Sequence, residues 1–243
     1  AASGKDKIAI CGYHGWHDWY LASNIDDPEN LSQHLLAGLE TSGVPRALKG
    51  TTIPFKYNDL ESLTSIIDNN EIGVIKMEVY RNSEPQNNFL QNVRKLATEN
   101  GIVLIFDECT SGFRETFGGL HKKYNVEPDI ALFSKALGNG YAISAVTGRR
   151  SVMESAQSSF ISSTFWTERI GPSAALKALE VMEREQSWSY ITDLGLELIN
   201  CWKALAEKHH VPISISGLPS ISSFRFENPH HNIFKTFITQ EML

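Results

Sequence analysis

The sequence has few cysteines, no long apolar run and no excess of basic residues. Its three cysteines, Cys11, Cys109 and Cys201, are an odd and widely spaced set. Such a set predicts no disulfide framework and a reducing compartment, which we take to be the cytoplasm. No apolar stretch reaches membrane-spanning length, so we expect no membrane segment. The net charge of −6 argues against a nucleic-acid partner.

The composition is that of an ordinary globular protein. Hydrophobic residues make up 42% of the 243 positions and charged residues 21%. Short apolar runs, typical of strands buried on both faces, alternate with segments that repeat apolar residues at helical spacing. This alternation predicts an α/β fold of three layers, in which helices flank a mostly parallel sheet. The predicted strands are residues 7–11, 51–54, 73–79, 102–107, 130–134, 142–147 and 220–226.

The remaining segments predict how the chain is divided. Residues 12–50 are rich in Gly, His, Trp, Asn and Asp, which favours a long irregular segment with a short helix at residues 31–40. The chain starts almost directly in an apolar segment and stops within an amphipathic pattern, which predicts a fragment lacking both ends. We expect a large domain over residues 1–210 and the beginning of a truncated small domain over residues 211–243.

Two charged residues stand at the ends of neighbouring apolar runs. Asp107 ends one run, and Lys135 directly follows the next. Because the carboxyl ends of parallel strands meet at one edge of a sheet, we expect both side chains at that edge. A lysine and a carboxylate facing one gap suit pyridoxal 5'-phosphate (PLP), which needs an amine for a Schiff base and an acid to keep its ring nitrogen protonated. By position alone, Lys135 also fits a lysine that merely reaches toward solvent.

Two other chemistries compete for the same stretches of sequence. Four apolar residues followed by Asp107 and Glu108 resemble the magnesium-holding strand of a nucleotide-hydrolysing protein. That function needs a G-x-x-x-x-G-K-[ST] loop, which these 243 residues lack, so it stays open only as a weak alternative in which the loop precedes Ala1. His14 and His17 are three residues apart, but no third ligand converges on them, so we predict no metal site.

Three further positions are candidates for the same site. Tyr13 follows the first predicted strand and could stack on a flat ring. Glu78 ends a strand, where it is a second carboxylate of the same pocket or a partner of Arg81 or Arg114. Thr164 lies in a hydroxyl-rich turn before a helix, which suits phosphate binding or ordinary helix capping.

Taken in order, these motifs resemble the class III, PLP-dependent aminotransferases of fold type I, and in particular their glutamate-1-semialdehyde aminomutase-like branch. The resemblance covers nearly the whole chain, and the order and spacing of the motifs make it more specific than any one of them. The motifs are IFDECTSGFR at 105–114, PDI at 128–130, KALGNG at 135–140 and GR at 148–149.

The resemblance implies a role for each residue around the cofactor. Lys135 matches the Schiff-base lysine, which also moves a proton between substrate carbon and cofactor, and Asp107 matches the partner of the ring nitrogen. Cys109 takes the position against one face of the ring, where the family usually has Val or Ile. Tyr13 matches the aromatic residue on the other face, with His14 beside it.

Two further roles and three departures complete the resemblance. Glu78 matches a strand-end acid near the cofactor, although Val79 replaces the proline usual after it. Thr164 matches a threonine that reaches the cofactor phosphate of the neighbouring subunit, which implies a homodimer with active sites at the interface. The family's phosphate-binding turn is expected before Ala1, and most of its small domain after Leu243.

The resemblance implies transfer of an amino group between a small-molecule amino donor and a carbonyl acceptor. Two alternatives remain open: a glutamate-1-semialdehyde-type 2,1-aminomutase, and a non-catalytic dimerisation module that kept the fold. Residues 13–18 read YHGWHD rather than the aminomutase-typical YHGHAD, which favours the transferase. The joint presence of Lys135, Asp107 and Tyr13 argues against a non-catalytic module.

Overall fold

A central sheet of six strands forms the framework of the molecule. The computed structural model describes residues 1–80, 82–165 and 167–242. The strands of this sheet are β1 (Lys7–Cys11), β2 (Thr52–Pro54), β3 (Ile72–Glu78), β4 (Val103–Asp107), β5 (Ile130–Phe133) and β6 (Ala145–Gly148). Their order is β2-β1-β3-β4-β5-β6. The first five run parallel, and β6 pairs antiparallel with β5, which confirms the predicted mostly parallel α/β sheet.

Helices lie between the strands, as their apolar repeats predict. They are α1 (Asp18–Leu21), α2 (Leu60–Asn69), α3 (Phe89–Glu99), α4 (Arg150–Met153), α5 (Ile170–Glu185), α6 (Ser187–Lys208) and α7 (His231–Met242). Alternate side chains of a strand point to opposite faces of the sheet. One face packs against α2 and α3 through the buried Leu63, Leu90 and Val93. The segment after β1 covers part of the other face through the buried Tyr20 and Leu31.

The predicted short helix at residues 31–40 is wrong, because this stretch forms turns. The Asn24 side chain provides the physical reason. Its Nδ2 donates to the carbonyl oxygens of Pro28, at 3.0 Å, and Leu39, at 3.1 Å, while its Oδ1 accepts from Leu31 N at 3.0 Å. One polar side chain thus satisfies backbone groups on both sides of the segment, which favours turns over helix.

The last part of the chain forms a second, two-stranded sheet. Its strands β7 (Ile213–Ser216) and β8 (Ser223–Phe226) pair antiparallel and are followed by α7. β7 is not among the predicted strands, although its Ile-Ser-Ile-Ser alternation is a strand signal. β8 begins later than the predicted strand at 220–226, because residues 219–221 form a 3-10 turn. The division at residue 210 stays a prediction, and Leu243 lies outside the described residues.

The buried carboxylate of Asp129 fixes β4 and β5 against each other. Its Oδ2 accepts from Leu104 N at 2.8 Å and from Arg94 Nη1 at 2.8 Å, and its Oδ1 lies 3.3 Å from Arg149 Nη1. Leu104 is in β4, and Asp129 directly precedes β5. This carboxylate therefore contributes to the alignment of the two strands whose carboxyl ends carry Asp107 and lead to Lys135.

No helix among the described ranges is long and apolar enough to cross a membrane.

Candidate active site

The carboxyl edge of the sheet gathers the predicted site residues. In the parallel register Glu78 lies beside Asp107, and Asp107 beside Leu132. Lys135 follows three positions after Leu132, just beyond β5. Tyr13 follows the end of β1, which pairs with β3. Four separate segments of the chain thus meet at one edge, the usual ligand-binding edge of such sheets.

Asp107 is buried, accepts two hydrogen bonds and forms one ion pair. Its Oδ2 accepts from His14 Nδ1 at 2.9 Å and lies 3.2 Å from Lys76 Nζ. Its Oδ1 accepts from Cys109 N at 3.3 Å. Because buried carboxylates are stable only when hydrogen-bonded or paired, these contacts keep the acid in place.

The partners of Asp107 also decide its charge. Burial alone raises the pKa of Asp107, but the hydrogen bond from His14 and the positive charge of Lys76 outweigh it, and the net pKa lies far below its usual value. Burial lowers the pKa of His14, and the hydrogen bond to Asp107 only partly offsets this effect. A carboxylate can only accept, so neutral His14 must carry its proton on Nδ1.

Glu78 and Gly12 hold the turn after β1 close to β3. Glu78 Oε2 accepts from Tyr13 N at 3.2 Å. Gly12 has a φ of 115°, and a Cβ atom added there would lie 2.3 Å from the same Glu78 oxygen. Only glycine fits both the backbone conformation and this approach. Of the arginines predicted as partners of Glu78, Arg81 lies outside the described residues, and Arg114 donates from Nε to Thr110 O at 3.3 Å.

The amine of Lys135 is exposed and lies beside a hydroxyl group. Its Nζ donates to Thr110 Oγ1 at 2.5 Å, and within the part of the chain described here no carboxylate lies within ion-pair distance of it. The backbone of Lys135 has a φ of 47°, an uncommon conformation for a residue with a side chain. Such conformations persist where the surrounding structure holds them, and they are frequent at functional sites.

The segment from Asp107 to Thr110 connects the acid to the amine. Cys109 donates its backbone N–H to Asp107, and the next residue accepts from Lys135. Burial raises the pKa of the Cys109 thiol to about 12, and the negative charge of Asp107 adds to this effect, so the thiol stays neutral. Asp107 and Lys135 thus contact the two ends of the same short segment at the carboxyl edge of the sheet.

Glu108 has a structural environment rather than that of a metal ligand. Its Oε1 accepts from His121 Nδ1 at 2.8 Å and from His121 N at 3.0 Å, and its Oε2 accepts from Ser111 Oγ at 2.5 Å. These bonds tie together the loop after β4. Across residues 1–80, 82–165 and 167–242, no cluster of three potential metal ligands occurs. This geometry does not favour the nucleotide-hydrolysing alternative.

Tyr13 and Thr164 lie in different surroundings. Tyr13 is half-buried, and its ring packs edge-on against Trp16 and Tyr20 with centroid distances of 5.9 and 6.1 Å. Thr164 is exposed in the segment before α5, and among the described residues it makes no hydrogen bond to the Asp107 or Lys135 region. Its role toward a neighbouring subunit stays a prediction.

Lys76 and Thr110 are not among the site residues that the sequence predicts. Lys76 is a charged residue inside an otherwise apolar strand, two positions before Glu78, and this pattern could have identified it because residues i and i+2 share a face. No sequence pattern indicates a role for Thr110, because hydroxyl residues are common in loops for many structural reasons. Its contact with Lys135 depends on how the loop after β4 returns beside β5.

We expect the stability of the protein to fall as the pH drops below about 6.5, because His14 is buried in its neutral form. Its lowered folded pKa means that the unfolded chain takes up the proton first, so stability present at neutral pH is lost on acidification. The His14 contribution has a slope of at most about 1.4 kcal/mol per pH unit. Urea denaturation at a series of pH values measures it.

The matched variants are His14→Gln, which keeps a donor to Asp107, and His230→Gln at an exposed histidine. We expect a shallower pH dependence only for His14→Gln. Parallel pH dependences for wild type and His14→Gln would contradict a buried, neutral His14.

Comparison with known proteins identifies the family. The chain matches the family described as Aminotransferase class-III over residues 80–241. The 3-aminobutyryl-CoA aminotransferase of Cloacimonas acidaminovorans (strain Evry) is 33% identical over 247 residues, which cover 98% of this chain and 56% of that protein. The chain thus spans about half the length of this curated relative.

Solved structures agree in fold. The FumI protein of Sphingopyxis sp. MTA144, in its PLP internal aldimine form, superposes with a TM-score of 0.82 at 21% identity, over 93% of this chain and 53% of that one. An omega-transaminase from Sphaerobacter thermophilus gives a TM-score of 0.78 at 23% identity, over 94% of this chain and 55% of that one. From the family match and the curated relative together, the chain belongs to the class-III aminotransferases.

Proposed function

We propose that the protein containing this chain moves an amino group from a small-molecule donor to a carbonyl acceptor, with PLP held at the carboxyl edge of the sheet. One observation carries the proposal: Asp107, kept ionised by its contacts with His14 and Lys76, and the amine of Lys135 both lie at the carboxyl edge of the sheet, at the two ends of the segment 107–110. The family match supports the reaction class. The fold alone would not, because one fold hosts many functions.

The residues at this edge fit the cofactor. PLP needs a carboxylate for its ring nitrogen, an amine for its aldehyde and flat contacts for its ring. Asp107 is ionised, and Lys135 has no carboxylate partner among the described residues that would hold its amine away. The family match and the PLP form of a structural neighbour likewise indicate pyridoxal 5'-phosphate. When bound, PLP condenses with amines and accepts the electron pair left on the substrate carbon.

Five residues of the chain have a role in the proposed reaction. Asp107 holds positive charge at a ring nitrogen, because it stays ionised in spite of its burial. Lys135 supplies the amine that carries the cofactor and then moves a proton to and from the substrate carbon. Thr110 Oγ1 orients that amine. The neutral thiol of Cys109 and the ring of Tyr13 provide apolar surface without adding charge.

We further propose a homodimer in which the segment around Thr164 faces the second subunit. Phe160 and Phe165, on either side of Thr164, expose 97% and 73% of their surface. Apolar side chains exposed to this extent in one segment are typical of an interaction surface. The cytoplasmic location stays a prediction from the cysteine content.

Replacing Lys135 by alanine should abolish both the visible absorbance of bound PLP and transamination. The variant loses the amine that carries the cofactor, so activity should fall by about three orders of magnitude or more. Absorbance spectroscopy and a coupled amino-transfer assay on the full-length protein measure the two effects. Lys122→Ala removes an exposed lysine that donates to Phe117 O and serves as control. Survival of both signals in Lys135→Ala would refute the proposal.

Activity should depend on a separate 2-oxo acid acceptor. A transferase passes the amino group to a second molecule, whereas a 2,1-aminomutase returns it to the same carbon skeleton. Product formation is therefore compared with and without the acceptor under multiple-turnover conditions. Sustained turnover without acceptor would replace the transferase proposal by the aminomutase, which uses the same residues of this chain.

The charge substitution Phe160→Asp should weaken dimerisation, because it places a carboxylate in the apolar segment beside Thr164. The midpoint concentration of the monomer–dimer equilibrium, measured by analytical ultracentrifugation, should rise about tenfold or more. Lys208→Asp, at an exposed position of α6, should leave it unchanged. An unchanged equilibrium for Phe160→Asp would exclude this segment from the interface.

A further inference from the structure

Lys76 is a charged residue in the middle of a buried strand. Its neighbours Ile75 and Met77 are fully buried and belong to the core on one face of the sheet. Lys76 points to the opposite face, which it shares with Glu78 and with Asp107 in the adjacent strand. Its side chain is only 12% exposed. A lysine so placed requires compensation for lost hydration.

The contacts of Lys76 direct its charge at the acid of the candidate active site. Its Nζ lies 3.2 Å from Asp107 Oδ2, the same oxygen that accepts from His14 at 2.9 Å. The ring of Trp19 lies beside the ammonium group, 5.4 Å from Nζ to the ring centroid. An ion pair on one side and an aromatic ring on the other hold the amine in place.

The charges of Asp107, Lys76 and His14 sum to zero. Asp107 contributes a negative charge and Lys76 a positive one, while burial keeps His14 neutral. A buried ion pair seldom stabilises a fold better than apolar side chains of similar size. Stability alone therefore gives little reason for a lysine here, whereas the proposed function gives a specific one.

We propose that Lys76 is a positioning residue that shares the Asp107 carboxylate with the ring nitrogen of PLP and so limits how fully that nitrogen is protonated. The inference rests on the proposed function. A positive ring nitrogen held by Asp107 would be repelled by the ammonium group of Lys76, which lies 3.2 Å from the same carboxylate. When the Lys76 charge is removed, the hydrogen bond from His14 to Asp107 remains, and a protonated ring nitrogen becomes the cation that compensates the Asp107 carboxylate, which therefore binds it more strongly.

Other charged groups around Asp107 do not replace Lys76 in this role. His14, after β1, is neutral, and Glu78, beside Asp107 in β3, carries a charge of the opposite sign to that of Lys76 when ionised. Cys109 is a neutral thiol. Lys135 lies beyond Cys109 and donates to Thr110. Among the described residues, Lys76 is the cation within ion-pair distance of Asp107.

The test compares full-length wild type with Lys76→Met, Lys76→Gln and Lys76→Arg. Solid-state NMR of PLP labelled with nitrogen-15 in the ring reports the protonation of that atom directly. In Lys76→Met and Lys76→Gln the pH midpoint of this signal should rise by about one unit or more, and the equilibrium dissociation constant for PLP near neutral pH should fall about tenfold. Lys76→Arg, which keeps the charge, should follow wild type.

The direction of the change separates this role from a structural one. If Lys76 were needed only for folding, its substitution would weaken PLP binding by the protein, whereas the proposal predicts tighter binding. Two uncharged variants are used so that the test stands if one of them fails to fold. Equal midpoints in wild type and both uncharged variants, or weaker PLP binding by a folded variant, would overturn the inference while leaving the proposed function intact. A wild type that binds no PLP would instead overturn the proposed function, and the inference with it.

Discussion

The parallel register of β3, β4 and β5 is the constraint on which the candidate active site depends. It sets Glu78 beside Asp107 and Asp107 beside Leu132, so that the chain beyond β5 delivers Lys135 to the same edge. A slip of one residue would turn Asp107 to the opposite face, among the apolar contacts of α3. Asp129, bonded to both the start of β4 and Arg94 of α3, supports this register from the other end of the strands.

Besides the strand register, the candidate active site depends on the charges around Asp107. A carboxylate buried alone takes up a proton, and a neutral acid cannot hold a positive ring nitrogen. His14 and Lys76 reverse this effect, although burial remains the largest single influence on Asp107. The two partners differ in kind: His14 donates a hydrogen bond without adding charge, whereas Lys76 adds a full charge at a similar distance. Asp107 is thereby kept ionised, and its carboxylate contacts both His14 and Lys76.

The chain contains the acid and the amine of the proposed active site. The class-III match and the curated relative place it among the aminotransferases, and its length corresponds to about half of that relative. Within this part lie the acid, the amine and the segment 107–110 that connects them. Thr164 and the exposed phenylalanines around it belong to a different surface, for which a second subunit is the proposed neighbour.

The sequence by itself determined the alternation of strands and helices, the strand-end positions of Asp107 and Lys135, and the family, because these depend on local periodicity and on motif order. It predicted a helix at 31–40 that Asn24 replaces with turns, because hydrogen bonds from a side chain to the backbone override local preference, and it missed β7 although the alternation in that strand is a local signal. Only the tertiary structure brought Lys76 to Asp107 and Thr110 to Lys135. Such contacts join residues on different segments, and their chemistry follows from burial and distance, which a linear sequence does not contain.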